Sequence, residues 1–241
     1  INICYHIQME KIQNELKTLR EMKSNGIVME TDQNALTLIQ AFQESIRTEL
    51  LQKYGPPPYI IQMTLEFPEI MRETTTPEFD CQDLETITIQ LASIEHVPYS
   101  VYYFLENIVK PFDGGVFHRN APHVLQARLN GGKLIEPFAF QEYSPECPHL
   151  QYTIGYAGRP STASHIYIST RDNSKNHGPG SQGSKTEADC TVGSIIGGVN
   201  DIKVIERMRK QPGASKKNGS VEDKNNHIQI VDLRIREPTV P

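Results

Sequence analysis

The run Gly55-Pro56-Pro57-Pro58 divides the chain into two stretches whose apolar residues repeat with different periods. No single regular element can satisfy both. Consecutive prolines remove backbone donors and fix φ, so the run reads as an extended spacer. Upstream of it, Met9, Ile12, Leu16 and Leu19 recur at spacings of three and four with Glu, Lys and Arg between them. That spacing predicts an amphipathic helix starting near Tyr5 and ending at Ser24-Asn25-Gly26. A second helix is predicted from Thr31 or Asp32, either of which can cap it, with Leu36, Ile39, Phe42, Ile46 and Leu50 on one side. Residues 1–55 therefore read as a helical hairpin or short coiled coil, a stalk or a self-association element. A helix that binds a partner is the sharper alternative.

After the prolines the period falls to two. Residues 59–67 and 85–92 alternate and are rich in β-branched and aromatic side chains, so they read as strands of one long hairpin across a polar stretch at 68–84. Pro98 opens a helix with Val101, Phe104, Leu105 and Ile108 on its apolar face, since proline is tolerated in a first turn. Phe112-Asp113-Gly114-Gly115 is a turn, and strands are predicted at 116–119, 124–128, 152–156 and 165–169. A polar loop at 172–189 holds Asn176-His177-Gly178-Pro179-Gly180. It leads to a strand at 190–196, a helix at 200–208 with Val204, Ile205 and Met208 inward, and a closing strand at 227–235. Strands dominate and no βαβ alternation occurs. The order fits a mainly β fold, a closed antiparallel barrel capped by two helices, with domain 56–236 after the helical segment 1–55 and a tail at 237–241.

Composition narrows the function classes. The 241 residues include no tryptophan, so the core must rest on Ile, Leu, Val, Phe and Tyr. A net charge of −5 gives no electrostatic footprint for nucleic acid, and the basic runs at 207–210 and 216–217 are short. Cys4, Cys81, Cys147 and Cys190 are scattered without metal-ligand spacing, and a single Cys147–Cys190 bridge is one pairing the sequence allows. His165 and His177 beside Asp189 do not have a spacing that demands a metal, and no cofactor is expected. Asn218-Gly219-Ser220 is a formal glycosylation sequon. No apolar run approaches the roughly 18 residues of a membrane span. The chain begins with Ile, so a processed chain or a fragment is expected, with any membrane anchor or secretory signal in an upstream segment. The compartment is left open between membrane-anchored, secretory lumen and cytoplasm.

Two segments carry more specific information. Asp113-Gly114-Gly115-Val116-Phe117-His118-Arg119 is followed by Gln126, and Gly155-Tyr156-Ala157-Gly158 runs on to His165-Ile166-Tyr167-Ile168-Ser169-Thr170. Together with the element order and the stretch from Gly193 to Val204, they resemble the cyclophilin-type peptidyl-prolyl isomerases. The resemblance covers about 59–236. It looks most like a divergent group in diatoms and related algae in which a helical stalk precedes the domain, some of which look like membrane-anchored proteins.

The resemblance implies a barrel that binds proline-containing peptide segments of proteins and rotates Xaa-Pro bonds. The catalytic arginine falls on Arg119 and its neighbouring glutamine on Gln126. Phe117, Gly155, Tyr156, Ala157, His165 and Tyr167 fall on substrate-binding positions, with Tyr167 in place of the pocket phenylalanine. The pocket histidine falls on Asp189, with His177 in the preceding loop as the other residue able to reach that position. His123 and Val124 replace a phenylalanine and a methionine of the pocket floor. These departures imply reduced activity, or a groove that binds proline peptides without turning them over. The rest of the chain implies no nucleic-acid partner, self-association through residues 1–55, and a membrane contact only through a segment outside this sequence.

Overall fold

A computed structural model of the chain describes residues 11, 14–15, 29–71, 84–132, 138, 140, 142–158, 165–182 and 188–236. The chain forms two compact units, Ile1–Gly55 and Pro56–Pro241. Most of the first helix expected from Tyr5, and the tail at 237–241, lie outside the described residues.

In the first unit, α1 spans Met29–Tyr54 and ends at Gly55, whose N–H donates to the Leu51 carbonyl at 3.1 Å. Ion pairs Arg47–Glu44 and Lys53–Glu49 run along it at helical spacing. Phe42, Ile46 and Leu50 are buried along one side, whereas Leu36, expected on the same stripe, is exposed.

The second unit is a closed antiparallel barrel of eight strands. They are β1 (Ile60–Glu66), β2 (Leu84–Leu91), β3 (Gly115–Ala121), β4 (Val124–Leu129), β5 (Thr153–Tyr156), β6 (His165–Ser169), β7 (Thr191–Ile195) and β8 (Ile228–Ile235). Around the barrel the order is β1-β2-β7-β5-β6-β4-β3-β8, so closure removes every sheet edge. The two-residue alternation seen in sequence is the alternation of barrel interior and exterior. Ile61, Met63 and Leu65 of β1 and Ile87, Ile89 and Leu91 of β2 point inward, and the two strands pair from Ile60↔Gln90 to Glu66↔Leu84.

Helices close the barrel as the proline and the amphipathic pattern predicted. Helix α2 (Pro98–Tyr103) continues as a wider π turn over Phe104–Val109, and Val101, Phe104, Leu105 and Ile108 are buried. Its first turn is held by a buried carboxylate: Tyr99 and Ser100 N–H donate to Glu142 at 3.1 and 2.6 Å. A carboxylate there meets both the unsatisfied N–H groups and the positive end of the helix dipole. Within the polar loop at 172–189, the described residues include one helical turn, α3 (Ser174–His177). Helix α4 (Gly198–Met208) buries Val204, Ile205 and Met208. Cys147 and Cys190 are both free thiols, so the Cys147–Cys190 bridge is not formed. Cys190 is instead buried with its thiol 3.0 Å from the Ser100 hydroxyl, which gives it a partner inside the core.

One buried carboxylate ties α4 to the sheet. Asp201 accepts from the Gly197 N–H at 2.9 Å at the start of its own helix, and from the Thr88 N–H of β2 at 2.7 Å. Removing it leaves both donors without that acceptor. Asp201→Ala is expected to lower the unfolding free energy by about 1–3 kcal/mol in urea titration, and an unchanged midpoint would show that the helix is held by packing alone.

Candidate functional site

A regular strand sends residues i and i+2 to the same face. Phe117 and Arg119 break that rule, because the β3–β4 register shifts between Phe117↔Ala127 and Arg119↔Gln126. The extra residue is His118, and this bulge turns Arg119 out of the barrel while Phe117 stays fully inside. Directly opposed residues share a face, so the register builds two rows. Phe117, Ala127, Ile166 and Tyr156 are opposed in turn across β3, β4, β6 and β5 and line the interior. Arg119, Gln126, Tyr167, Gly155 and Thr191 are opposed in turn across β3, β4, β6, β5 and β7 on the outer face.

The Arg119 guanidinium is fixed at two points. Its Nη1 donates to Gln126 Oε1 at 2.9 Å and its Nε to the Asn218 carbonyl at 2.7 Å. Gln126 Nε2 lies 3.4 Å from Nδ1 of His165, which extends the chain of polar groups onto β6. Partial burial pulls the guanidinium below its usual pKa, yet an arginine stays cationic across the working range of a protein. The 214–221 segment that supplies the Asn218 carbonyl is pinned to β3 on both sides of Arg119. Asn120 N–H donates to the Gly219 carbonyl at 2.7 Å and Val221 N–H to the His118 carbonyl at 2.9 Å. Gly219 has φ +78, and a Cβ there would sit 2.6 Å from the Ala121 Cα, so only glycine allows so close an approach.

Tyr167 is 1% exposed and packs with Ala121 and Val124, with Ala157 against this small cluster. Its hydroxyl, which the phenylalanine expected from the resemblance would lack, needs a polar partner once buried. His149 provides one: its Nδ1 lies 3.2 Å from the Tyr167 hydroxyl and 3.0 Å from that of Thr191. The space for the hydroxyl comes from Gly155, whose absent Cβ would overlap the Tyr167 hydroxyl and ring.

The His177 ring stacks on Tyr167, with ring centres 4.3 Å apart and planes at 24°. Asp189 lies fully buried behind it, 2.6 Å from His177 Nδ1, and also accepts from Gln182 at 2.9 Å. The imidazole thus covers the tyrosine, and the carboxylate holds the imidazole. His123 stands beyond His177, ring centres 5.7 Å apart. Burial and the neighbouring His177 push the His123 pKa down to about 4, so it is neutral near pH 7.

The structure therefore brings Arg119, Gln126, His165, Tyr167 and Gly155 to one outer face. It turns the Phe117 and Tyr156 side chains inside. Tyr156 is buried against Phe138 and Tyr103, and its hydroxyl donates to the Ser100 carbonyl at 2.9 Å. Sequence reasoning misses His149, Asn218 and Gln182. Only His149 leaves a signal, a histidine in a turn before β5, and that pattern alone is too common to use. Among the described residues, no group of three or more His, Cys, Asp or Glu is placed to hold a metal ion, and no helix is long and apolar enough to cross a membrane. No protein-family model matches the chain, and no curated protein matches it in sequence.

This packing can be measured in two ways. Gly155→Ala should destabilise the domain by about 1–3 kcal/mol, because the added Cβ meets a ring that cannot move aside in a filled site; wild-type stability in urea would mean the ring has room. His118 and His123 both fold with pKa values of about 4 against an ordinary 6.5, burial being the larger cause in each. The folded state then binds fewer protons than the unfolded one between these values. Their contribution to stability is complete above pH 6.5 and lost as pH falls toward 4. Thermal melts should show this decline, and the double variant His118→Gln, His123→Gln should flatten it over the same interval.

Proposed function

We propose that the chain is a peptidyl-prolyl cis-trans isomerase of cyclophilin type, with reduced turnover, acting on Xaa-Pro bonds in peptide segments of proteins. The observation that carries this reading is the outward guanidinium of Arg119, bonded to Gln126 and to the Asn218 carbonyl and so fixed in direction. Rotation about an Xaa-Pro bond loses amide resonance, a barrier of roughly 18–20 kcal/mol. No covalent step is needed, only tighter binding of the twisted peptide than of either planar form. As resonance is lost, the prolyl nitrogen regains a lone pair, and a donor already in position stabilises it without reorganising. The eight-stranded barrel flanked by helices has the topology this reading requires. The small apolar and aromatic cluster of Ala121, Val124, Tyr167 and Ala157, beside His177, supplies material for a proline-binding wall.

A second reading, a groove that captures proline peptides without turnover, is favoured by one observation. Tyr167 is covered by the stacked His177 ring rather than open as a pocket floor. The same covering accounts for reduced turnover in the first reading, because substrate must displace or accept the imidazole. Residues 1–55 would serve either function as a self-associating stalk.

A protease-coupled or NMR exchange assay on a short proline peptide separates the two. Arg119→Ala should lower kcat/KM by about 100-fold or more, the usual loss on deleting one fixed donor to the transition state. Arg119→Lys should recover little, since a point charge cannot make both fork contacts. Equal background rates for the wild type and Arg119→Ala would sink the isomerase reading. Peptide binding retained by the wild type and lost in Arg119→Ala would then leave capture.

A further inference from the structure

The outer face that carries Arg119 continues along β4 into positive charge. Arg128 is on that face two positions beyond Gln126, and His165 of β6 opposes it directly. Its side chain is exposed and makes no ion pair or hydrogen bond among the described residues. The His118 ring, at the β3 bulge, lies 5.4 Å from the His165 ring, centre to centre. His118 Nε2 is buried with no hydrogen-bond partner among the described residues, although buried polar atoms are nearly always satisfied.

The charges that act on these two imidazoles have one sign. Burial lowers the His165 pKa and Arg128 lowers it further. After burial, His118 is lowered by His165, Arg128, His227 and Arg119 in that order. The chain as a whole carries −5, so this band runs against the global charge and belongs to the face itself. Two guanidinium groups on neighbouring strands of one face, Arg128 exposed and Arg119 fixed, match carboxylate or phosphate oxygens.

We propose that Arg128, with His165 directly opposite it, recognises an anionic side chain, carboxylate or phosphate, on the bound peptide within about two residues of its proline, since two strand positions span roughly 7 Å. This rests on the reading of the Arg119 face as a proline-peptide groove. The arginine that acts at the prolyl bond and the arginine that reads the flanking charge are then different residues on neighbouring strands. Acidic flanks are preferred, neutral flanks accepted and basic flanks disfavoured by like-charge repulsion.

The test uses the full chain and four labelled peptides sharing one Xaa-Pro core, with Glu, phosphoserine, Ala or Lys two positions from the proline. Dissociation constants come from fluorescence anisotropy at low and high salt, and kcat/KM from the isomerase assay. The Glu and phosphoserine peptides should bind about five- to tenfold more tightly than the Lys peptide at low salt, with the difference shrinking as salt screens it. Tighter binding of the phosphopeptide alone would assign the site to phosphate. Arg128→Gln should erase the preference and Arg128→Glu should reverse it, with circular dichroism confirming that each variant is folded. Equal affinities for all four peptides, or a preference unchanged in Arg128→Glu, would overturn the proposal. A chain that turns over no peptide yet binds the acidic ones preferentially would defeat the isomerase reading and uphold this one. Turnover of all four with equal kcat/KM and equal affinity would do the reverse.

Discussion

The bulge at His118 is the constraint on which the site depends. Without the extra residue, Phe117 and Arg119 would face the same way, and either a phenylalanine would leave the core or a guanidinium would enter it. Burying that charge without a partner would cost several kcal/mol. With the bulge, Phe117 fills the interior and Arg119 meets Gln126 outside. The cost of a bulge is an unpaired stretch of backbone, and here the 214–221 segment takes up that backbone through the His118 carbonyl and the Asn120 N–H. The same segment then presents the Asn218 carbonyl to Nε of Arg119. The direction of both side chains is settled by one local irregularity.

The other wall is a set of compensations around a tyrosine. A buried phenolic hydroxyl demands both volume and a polar partner. Gly155, the residue opposite Tyr167, supplies the volume by lacking a Cβ. His149 supplies the partner and shares it with Thr191, which opposes Gly155 on the next strand. His177 stacks on the ring and is itself held by Asp189. Each of these residues is ordinary alone; together they make a filled, hydrogen-bonded wall where an open one would need only a phenylalanine.

Much of the architecture is legible in sequence because it obeys short-range rules. The alternation at 59–67 and 85–92 corresponds to β1 and β2, paired as a hairpin, and Pro98 opens α2. Where the sequence reading falls short, the missing information is long-range or conformational. The turn Ser174–His177 lies in a polar loop with no apolar repeat to announce it. Leu36 continues the apolar stripe of α1 and is nonetheless exposed, because periodicity says which residues share a side and not how far along that side is covered. Cys147 and Cys190 offer a pairing that the packing of Cys190 against Ser100 does not use.

Local sequence accounts for the change of period at the prolines and for the mainly β character of the chain beyond them. It also accounts for the two helices flanking the barrel and for an arginine and a glutamine on adjacent strands. Those are properties of residues near one another in the chain. Tertiary packing sets which face each residue occupies, since a single inserted residue in β3 inverts the alternation and no local pattern marks the insertion. Packing also places Asp189 behind His177, the Asn218 carbonyl against Arg119, and the Tyr167 hydroxyl over Gly155. Each of those contacts joins residues brought together by barrel closure or loop packing, and only register and closure fix such distances.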